Sequence, residues 1–506
     1  MKVYSNMKIW MVSGSQHLYG EETLIEVKKH TKEIADYLDT QTEISAYIEY
    51  KGIVTTQDEI TDFCLKANSD KSCGGVILWM HTFSPSKMWI NGLKILTKPI
   101  LHLHTQHNRD LPWDTIDMDF MNLTQSAHGG REHGFINTRL KIDRKVVVGY
   151  WKDIEVISQI DSWIRAAAAV NEMKYAKICR FGDNMRNVAV TEGDKVAAQI
   201  SFGYNVLGFG VSDLAKVVEK VTESEIDQVI SEYLLNYKIS TELQENGSRH
   251  SALRDAAKLE IAIEKFLVKG DFVAFTTTFE DLTGLCQLPG LACQRLMEKG
   301  YGFAGEGDWK IAALVRAMKV MGKGKNRGTS FMEDYTYHLD PQNPLVLGAH
   351  MLEVCPTIAE DNPVTLEIHH LGIGGKEDPV RMVFDTKPGE SVMASIMDMG
   401  NRFRLLVNEI ETVDHGKNLP KLPVARAVWK PLPDFKTAAQ AWILAGGAHH
   451  SSYSKDVTTE MLIDFAEMSG IEIVVINKDT KIPPFKNELK WNDLFFTMKG
   501  FAGGLS

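Results

Sequence analysis

Over residues 1–172, the pattern of hydrophobic and polar positions alternates between segments typical of strands and segments typical of helices. Short apolar runs predict buried strands at 8–12, 75–80, 99–103 and 146–148. Apolar residues at helical spacing predict helices at 22–38, 87–96 and 152–171, the second with Ser84 as N-cap and Pro85 as first residue. This alternation predicts an N-terminal αβ domain over residues 1–172, built on a parallel, doubly wound sheet.

The same rhythm resumes at residue 176 and predicts a central αβ domain over residues 173–326. Strands are predicted at 176–181 and 272–276, and helices at 222–237, 253–266, 289–299 and 309–321. The glycine- and lysine-rich tract 322–328 is typical of a linker.

Beyond this linker the pattern changes to strands, which predicts a β-rich, antiparallel, barrel-like domain over residues 327–506. The predicted strands span 329–338, 363–369, 380–386, 391–398 and 403–412. Two short helices, at 437–444 and 458–468, are expected to close the chain. The predicted fold class is therefore α/β, with two Rossmann-like units followed by a β-rich unit.

Composition narrows the function. A chain of 506 residues with 44% hydrophobic and 24% charged residues predicts a folded, multidomain protein. Its net charge of -10 argues against a nucleic-acid partner and favours a small molecule. The longest apolar run, at 76–80, is too short for a membrane span. Six cysteines without a C-x-x-C pair predict reduced, mostly buried thiols, and with no signal-peptide pattern we expect a cytoplasmic location.

Four residues stand out as candidate metal ligands: Glu306, Glu333, His350 and His450. Each lies in a segment rich in glycine, aromatic or further acidic residues. Two carboxylates and two imidazoles suit a borderline divalent cation such as Mn²⁺ and leave positions open for substrate oxygens. With 16 histidines and 66 acidic residues in the chain, spacing alone also allows a chance set.

Other motifs suggest alternatives. Gly300-Tyr-Gly-Phe-Ala-Gly305 matches the dinucleotide fingerprint, but it follows a predicted helix where the fingerprint requires a strand. We interpret these glycines as bending the backbone near Glu306.

The segment 371–376 resembles a phosphate-binding loop, but it does not match that motif, because His370 and Glu377 replace residues that the motif requires. His102, His104 and His107 favour a packing role over a metal cluster, since the first two alternate on a predicted strand.

With its segments assembled, the chain resembles the L-arabinose isomerases from about residue 7 to about residue 497, and only the ends diverge. The resemblance rests on nine segments in family order: Gly14-Ser-Gln-His-Leu-Tyr-Gly20, Leu78-Trp-Met-His-Thr-Phe83, Asp117-Met-Asp-Phe-Met-Asn122, Ala127-His-Gly-Gly-Arg131, Cys179-Arg-Phe-Gly-Asp-Asn-Met-Arg186, Thr276-Thr-Thr-Phe-Glu-Asp281, Glu306-Gly-Asp-Trp-Lys310, Phe331-Met-Glu-Asp-Tyr335 and Gly446-Gly-Ala-His-His450.

The resemblance implies three domains and a homohexamer of two trimers, with active sites between subunits. It implies that Glu306, Glu333, His350 and His450 bind one Mn²⁺ per subunit, with Co²⁺ as a substitute. The implied sugar contacts are Gln16, Leu18, Tyr19, Gln125 and His128 from a neighbouring subunit, with Phe83, Met185, Thr276, Phe279 and Tyr335.

The implied reaction converts L-arabinose to L-ribulose, with D-galactose to D-tagatose as a side activity. Glu306 and Glu333 are the expected proton-transfer pair in a route through a cis-enediol. A metal-assisted hydride shift would use similar residues and stays open. Two other functions compete: an NAD(P)-dependent sugar oxidoreductase using the loop at 300–305, and a sugar-binding protein of the periplasmic two-domain type.

Overall fold

The computed structural model of the protein describes residues 2–417 and 419–502. It divides into two compact units. One comprises Met1–Asn171 with Ile463–Met468, and the other Glu172–Leu462 with Ser469–Ser506. The three-domain boundaries expected from the sequence stay a prediction.

The N-terminal unit is built on a parallel sheet of five strands. They are β1 (Lys8–Gly14), β2 (Tyr47–Val54), β3 (Cys73–Met80), β4 (Ile100–His104) and β5 (Lys145–Val148). Their order is β2-β1-β3-β4-β5, and every neighbouring pair is parallel. Strand order therefore reverses between β1 and β3, where a doubly wound sheet opens a crevice at its carboxyl edge. The predicted parallel sheet is confirmed.

Six helices accompany this sheet: α1 (Gly20–Thr40), α2 (Gln57–Ser69), α3 (Ile90–Ile95), α4 (Met118–Leu123), α5 (Ser126–Arg139) and α6 (Ile154–Met173). The helix predicted from residue 87 to residue 96 is confirmed as an α-helix only over Ile90–Ile95. Pro85 is the N-cap of a 3-10 turn, Ser86–Trp89, and α3 begins only at Ile90. The Ser84 hydroxyl accepts a hydrogen bond from the Trp89 indole at 3.0 Å, and Ser84 is not the N-cap of either element.

The central part of the chain begins the second unit. Its strands are β6 (Lys177–Phe181), β7 (Asn205–Phe209), β8 (Lys238–Ile239), β9 (Ala274–Thr276) and β10 (Gly302–Ala304). Its helices are α7 (Lys195–Phe202), α8 (Val211–Val218), α9 (Glu223–Asn236), α10 (His250–Gly270), α11 (Gly290–Glu298) and α12 (Trp309–Met321). Four strands form a parallel sheet in the order β10-β9-β6-β7, so strand order again reverses, here between β6 and β9.

The remainder of the second unit is rich in strands: β11 (Thr329–His338), β12 (Leu345–Ala349), β13 (Thr365–Ile368), β14 (Val380–Val383), β15 (Gly389–Asp398), β16 (Phe403–Thr412), β17 (Arg426–Pro431), β18 (His450–Ser454) and β19 (Glu472–Ile476). Seven of them form a sheet in the order β15-β18-β11-β12-β17-β16-β19, and β15 also pairs with β16. All these pairs are antiparallel except β16 with β19. The predicted antiparallel C-terminal region is confirmed.

Three helices lie in this part of the chain: α13 (Phe435–Leu444), α14 (Thr459–Ser469), of which Ile463–Met468 belongs to the N-terminal unit, and α15 (Ile482–Ala502). The expectation that two short helices close the chain is wrong, because β19 and α15 follow α14. Glu472 gives β19 a polar start that obscures its apolar run, yet this carboxylate is buried, where it pairs with Arg402 and Arg404. β14, β13 and β8 form a separate small sheet.

Two observations bear on compartment and membrane. All six cysteines lie in the described ranges as free thiols, five of them buried and Cys286 exposed. No helix in the described part of the chain has the length and apolarity needed to cross a membrane.

Histidines pack inside the N-terminal unit. His102 on β4 lies edge-on to His133 with 5.2 Å between ring centroids, and His107 stacks on His30 at 3.6 Å. His81 donates to or accepts from His30 at 2.8 Å. The packing role predicted for the trio at 102, 104 and 107 is confirmed for His102 and His107 by these ring contacts.

This packing predicts sensitivity to acid. Burial lowers the pKa of His81 to about 3, that of His102 to about 4 and that of His133 well below its usual 6.5. Each folded pKa lies below the unfolded value, so the unfolded chain takes up these protons first as the pH falls. The free energy of unfolding is therefore unaffected above pH 6.5 and decreases as the pH falls below it. At pH 5, His81 and His102 should each lower the free energy of unfolding by about 2 kcal/mol, and His133 should lower it further.

Urea unfolding at pH 7 and pH 5 measures this loss. His133→Leu is the matched variant, since neither ring nitrogen of His133 has a hydrogen-bond partner among the described residues. The variant should lose less stability on acidification than the wild type, because it has no imidazole at this position to protonate on unfolding. Equal unfolding free energies for the wild type at the two pH values would contradict this prediction.

Candidate metal centre and sugar site

The second unit brings the four predicted metal ligands together. One ligand atom from each of Glu306, Glu333, His350 and His450 lies within 4.8 Å of the other three. Strand pairing explains part of this convergence, since Glu333 on β11 stands opposite His450 on β18 and opposite Ala349 on β12. His350 directly follows Ala349. Glu333 and His450 therefore come from neighbouring strands, where side chains on one face lie close together, and His350 comes from the segment that follows β12.

Glu306 reaches the same point from the carboxyl end of β10. Its backbone adopts φ of +59°, in the left-handed region that non-glycine residues rarely occupy. A Cβ on the preceding Gly305 would lie 3.1 Å from the His350 ring, so glycine permits the close approach. The loop at 300–305 follows α11 and forms β10, which is the reverse of the order that a dinucleotide fingerprint requires.

Both histidines are held by their Nδ1 atoms. His350 Nδ1 hydrogen-bonds the Glu353 carboxylate, and His450 Nδ1 lies 3.1 Å from Asp308 Oδ2. The two Nε2 atoms are buried and have no hydrogen-bond partner among the described residues. A carboxylate that accepts from Nδ1–H leaves the Nε2 lone pair free for a metal, the arrangement common around metal-binding histidines.

The free Nε2 atoms face the two glutamates. His450 Nε2 lies 3.3 Å from Glu333 Oε1 and 3.6 Å from Glu306 Oε2, while His350 Nε2 lies 3.8 Å from Glu333 Oε1. Two buried imidazole nitrogens and two carboxylates thus converge on one point. This donor set fits a borderline divalent cation.

Charges in the site are tightly coupled. Burial alone would raise the pKa of Glu333, but the imidazoles of His350 and His450 outweigh it and lower that pKa. Burial alone would lower the pKa of His450, but Asp308 and Glu333 raise it to about 9. Without a cation, the carboxylates therefore favour the protonated, positively charged form of the His450 imidazole. A bound metal ion would supply the positive charge in place of that proton.

The second unit carries four of the predicted sugar contacts, three at or after strand ends and Tyr335 within β11. Phe279, after β9, stacks on the His350 ring with 5.9 Å between centroids. The Met185 amide, after β6, donates to the Glu306 carbonyl at 2.9 Å. Thr276, the last residue of β9, donates to the Ala304 carbonyl at 2.7 Å. Tyr335 follows Glu333 on β11 and is half exposed.

The other predicted sugar contacts cluster in the N-terminal unit. Gln16, Leu18 and Tyr19 follow β1, Phe83 follows β3, and Gln125 and His128 stand at the start of α5. The Tyr19 hydroxyl donates to Gln125 Oε1 at 3.2 Å, and the rings of Phe83 and His128 are 4.7 Å apart. β1 and β3 flank the reversal in strand order, so this cluster lies where α/β sheets bind ligands.

Three residues of the site carried no predicted role. Asp308 and Glu353 hold the histidine ligands, and His449 Nε2 lies 3.8 Å from Glu306 Oε2. A local signal existed for each, since Asp308 follows Glu306 by two residues, Glu353 follows His350 by three, and His449 precedes His450. The spacing did not reveal which acidic neighbour turns toward an imidazole.

Similarity to known proteins extends over almost the whole chain. Models of the L-arabinose isomerase N-terminal, central and C-terminal domains match residues 3–175, 177–324 and 328–472. The L-arabinose isomerase of Geobacillus stearothermophilus is 57% identical over 97% of this chain and 98% of its own length. That of Herpetosiphon aurantiacus is 57% identical over 97% of both chains. The enzyme of Salmonella arizonae is 53% identical over 99% of this chain and 100% of its own length.

These matches define an isomerase. The chain belongs to the L-arabinose isomerase family. A periplasmic sugar-binding protein from Legionella pneumophila matches 62% of this chain and 94% of its own at 10% identity, with a TM-score of 0.14. That likeness is too weak to support the alternative of a periplasmic binding protein.

Proposed function

We propose that this protein converts L-arabinose to L-ribulose in a metal-dependent reaction, with D-galactose to D-tagatose as a side activity. The observation that carries the proposal is the convergence of two glutamates and two histidines within 4.8 Å. The relatives called L-arabinose isomerase, at 53% to 57% identity, support the choice of substrate.

We assign the metal to Mn²⁺, with Co²⁺ as a substitute and one ion per subunit, held by Glu306, Glu333, His350 and His450. When bound, the cation would supply Lewis acidity toward the sugar oxygens. The carboxylates of Asp308 and Glu353 are engaged by the histidine Nδ1 atoms. They serve as orienting groups, so the proton-transfer roles fall to Glu306 and Glu333.

These two glutamates would act as the acid and base. One carboxylate takes the proton from C2 of the aldose, giving a cis-enediol, and a proton is returned at C1 while another moves from O2 to O1. The low pKa of Glu333, which its imidazole neighbours cause, favours the ionised form that a base requires.

Isomerisation in D₂O distinguishes the enediol route from an intramolecular hydride shift. A carboxylate that carries the proton can exchange it with solvent, so we expect deuterium at C1 of the ketose, measured by NMR over repeated turnovers. A product free of deuterium at C1 after extended equilibration would favour the hydride shift.

An aldose panel tests the substrate assignment. The Mn²⁺-loaded protein should form ketose fastest from L-arabinose and more slowly from D-galactose, without NAD(P). If none of the aldoses gave ketose while Mn²⁺ was bound, the proposed activity would be wrong.

We infer a homohexamer of two trimers in which the N-terminal cluster of one subunit completes the metal site of another. Supporting this, the N-terminal unit exposes apolar side chains near that cluster in sequence: Leu18 is 84% exposed, Trp113 78% and Met118 65%. Exposed apolar patches of this kind mark interaction surfaces. Gln16, Tyr19, Gln125 and His128 would then reach a neighbour's sugar.

Mixed oligomers test the shared site. An inactive His128→Ala chain co-expressed with an inactive Glu306→Gln chain should regain activity, because some sites combine an intact cluster with an intact metal centre. Random assembly rebuilds at most about a quarter of the sites. Different tags allow the mixed oligomer to be isolated before assay. Activity no higher than that of the parental variants would mean that each site is built within one chain.

Two further assignments complete the proposal. We infer that β15, β18, β11, β12, β17 and β16 close into a barrel, because β15 pairs with both β18 and β16. We infer a cytoplasmic location, which the six free cysteines support, since free thiols are typical of reducing compartments.

A further inference from the structure

Lys310 is a buried lysine behind the candidate metal centre. It lies in the first turn of α12 and is 1% exposed. Its Nζ donates to Asp308 Oδ1 at 3.0 Å and to the Thr191 carbonyl at 2.9 Å. A buried ammonium is costly unless it is paired and hydrogen-bonded, so a lysine at this position calls for an explanation.

Asp308 connects this ammonium to a metal ligand. The aspartate is fully buried, and its two oxygens have different partners. Oδ1 accepts from Lys310 and, at 3.3 Å, from the Ile311 amide, while Oδ2 lies 3.1 Å from His450 Nδ1. Lys310 therefore fixes one edge of a carboxylate whose other edge orients the His450 ring.

Thr191 connects the same ammonium to the segment that bears Met185. The Thr191 carbonyl accepts from Lys310 and, at 2.5 Å, from Asn184 Nδ2, which also donates to the Gly307 carbonyl at 3.1 Å. The segment from 184 to 191 is thus joined to the chain at 307–310 through both of its ends.

The stem of Lys310 is also closely packed. A Cβ on Gly193 would lie 3.0 Å from Lys310 Cδ and 3.0 Å from the Trp309 ring, so glycine allows the chain to approach here. The ammonium has little freedom to move away from Asp308 and Thr191.

We propose that Lys310 is a positioning residue for the metal centre. Its ammonium holds Asp308 so that the His450 ring presents Nε2 to the other three ligands, and it anchors the Met185 segment to the same point. This inference rests on the proposed metal-dependent function.

The test is the affinity for Mn²⁺ in the absence of sugar, measured by calorimetry on purified full-length protein. Lys310→Met keeps most of the stem but removes the charge and the donor. We expect Mn²⁺ to bind about 10- to 100-fold more weakly, the loss typical of an orienting partner of a metal ligand. The absorption spectrum of bound Co²⁺ should change as well, because the His450 ring is released.

Lys455→Met is the matched control. The Lys455 side chain is also fully buried and bonds Glu360 and the Lys387 carbonyl. Its loss should lower stability and leave Mn²⁺ affinity unchanged. A folded Lys310→Met protein that binds Mn²⁺ as tightly as the wild type would overturn the proposal.

A second comparison covers the case in which Lys310→Met does not fold. The double variant Asp308→Asn with Lys310→Met removes both charges of this buried pair, whereas Asp308→Asn alone keeps the Lys310 ammonium on the Thr191 carbonyl. If Lys310 acts through Asp308, the single variant Asp308→Asn and the double variant should bind Mn²⁺ with equal affinity. A further loss of affinity in the double variant would contradict the action of Lys310 through Asp308. A wild-type protein that bound no Mn²⁺ would instead refute the proposed metal centre.

Discussion

Replacing Glu306 or Glu333 by glutamine is expected to lower turnover by at least about a hundredfold, while sugar binding survives better. The amide has nearly the shape of the carboxylate but cannot carry the proton between C2 and C1. The two side chains are 12% and 13% exposed, so bulk water has little access to replace them. Steady-state kinetics on Mn²⁺-loaded variants separates turnover from binding.

Glu409→Gln is the control for this experiment. Glu409 lies on β16 and accepts a hydrogen bond from Thr459 at 2.8 Å, outside the ligand set. The control should keep wild-type turnover. A Glu306 or Glu333 variant that retained more than about a tenth of wild-type turnover would exclude that residue from the acid/base pair.

Replacing His350 or His450 by alanine should remove metal and activity together. Each ring offers a buried Nε2 without another partner among the described residues, so its loss leaves the cation with three ligands. We expect Mn²⁺ affinity to fall by more than about 100-fold, beyond the loss that an outer partner causes. Elemental analysis of the purified variants measures occupancy directly.

A purely structural role for these histidines makes a different prediction. His81→Ala, in the N-terminal unit, removes another fully buried imidazole and should lower stability without changing Mn²⁺ content. If His350→Ala and His450→Ala kept full Mn²⁺ occupancy and lost only stability, the assigned ligand set would be wrong.

Long, strongly patterned elements could be predicted from the sequence. The predicted bounds of α12, β11 and β16 match the structure, because their apolar positions repeat regularly and a glycine or aspartate lies within three positions of each end. β19 and α15 were not predicted. Glu472 gives β19 a polar first residue, and its burial depends on arginines about 70 positions away in the sequence.

The ligand set was predicted from family segments, and its geometry was not. Strand register decides that Glu333 faces His450, and register depends on pairing between segments far apart in sequence. The residues that orient the histidine ligands were harder still to predict from the sequence. Asp308 and Glu353 are two among 66 acidic residues, and only the fold turns their carboxylates toward histidine Nδ1 atoms.

The central claim is that a divalent metal held by Glu306, Glu333, His350 and His450 is required for isomerisation. The most direct test measures ketose formation from L-arabinose by protein stripped with EDTA, before and after Mn²⁺ is restored. We expect no ketose above background from the stripped protein, and full activity when one Mn²⁺ is bound per subunit. Full activity from protein that elemental analysis shows to be free of metal would contradict the account.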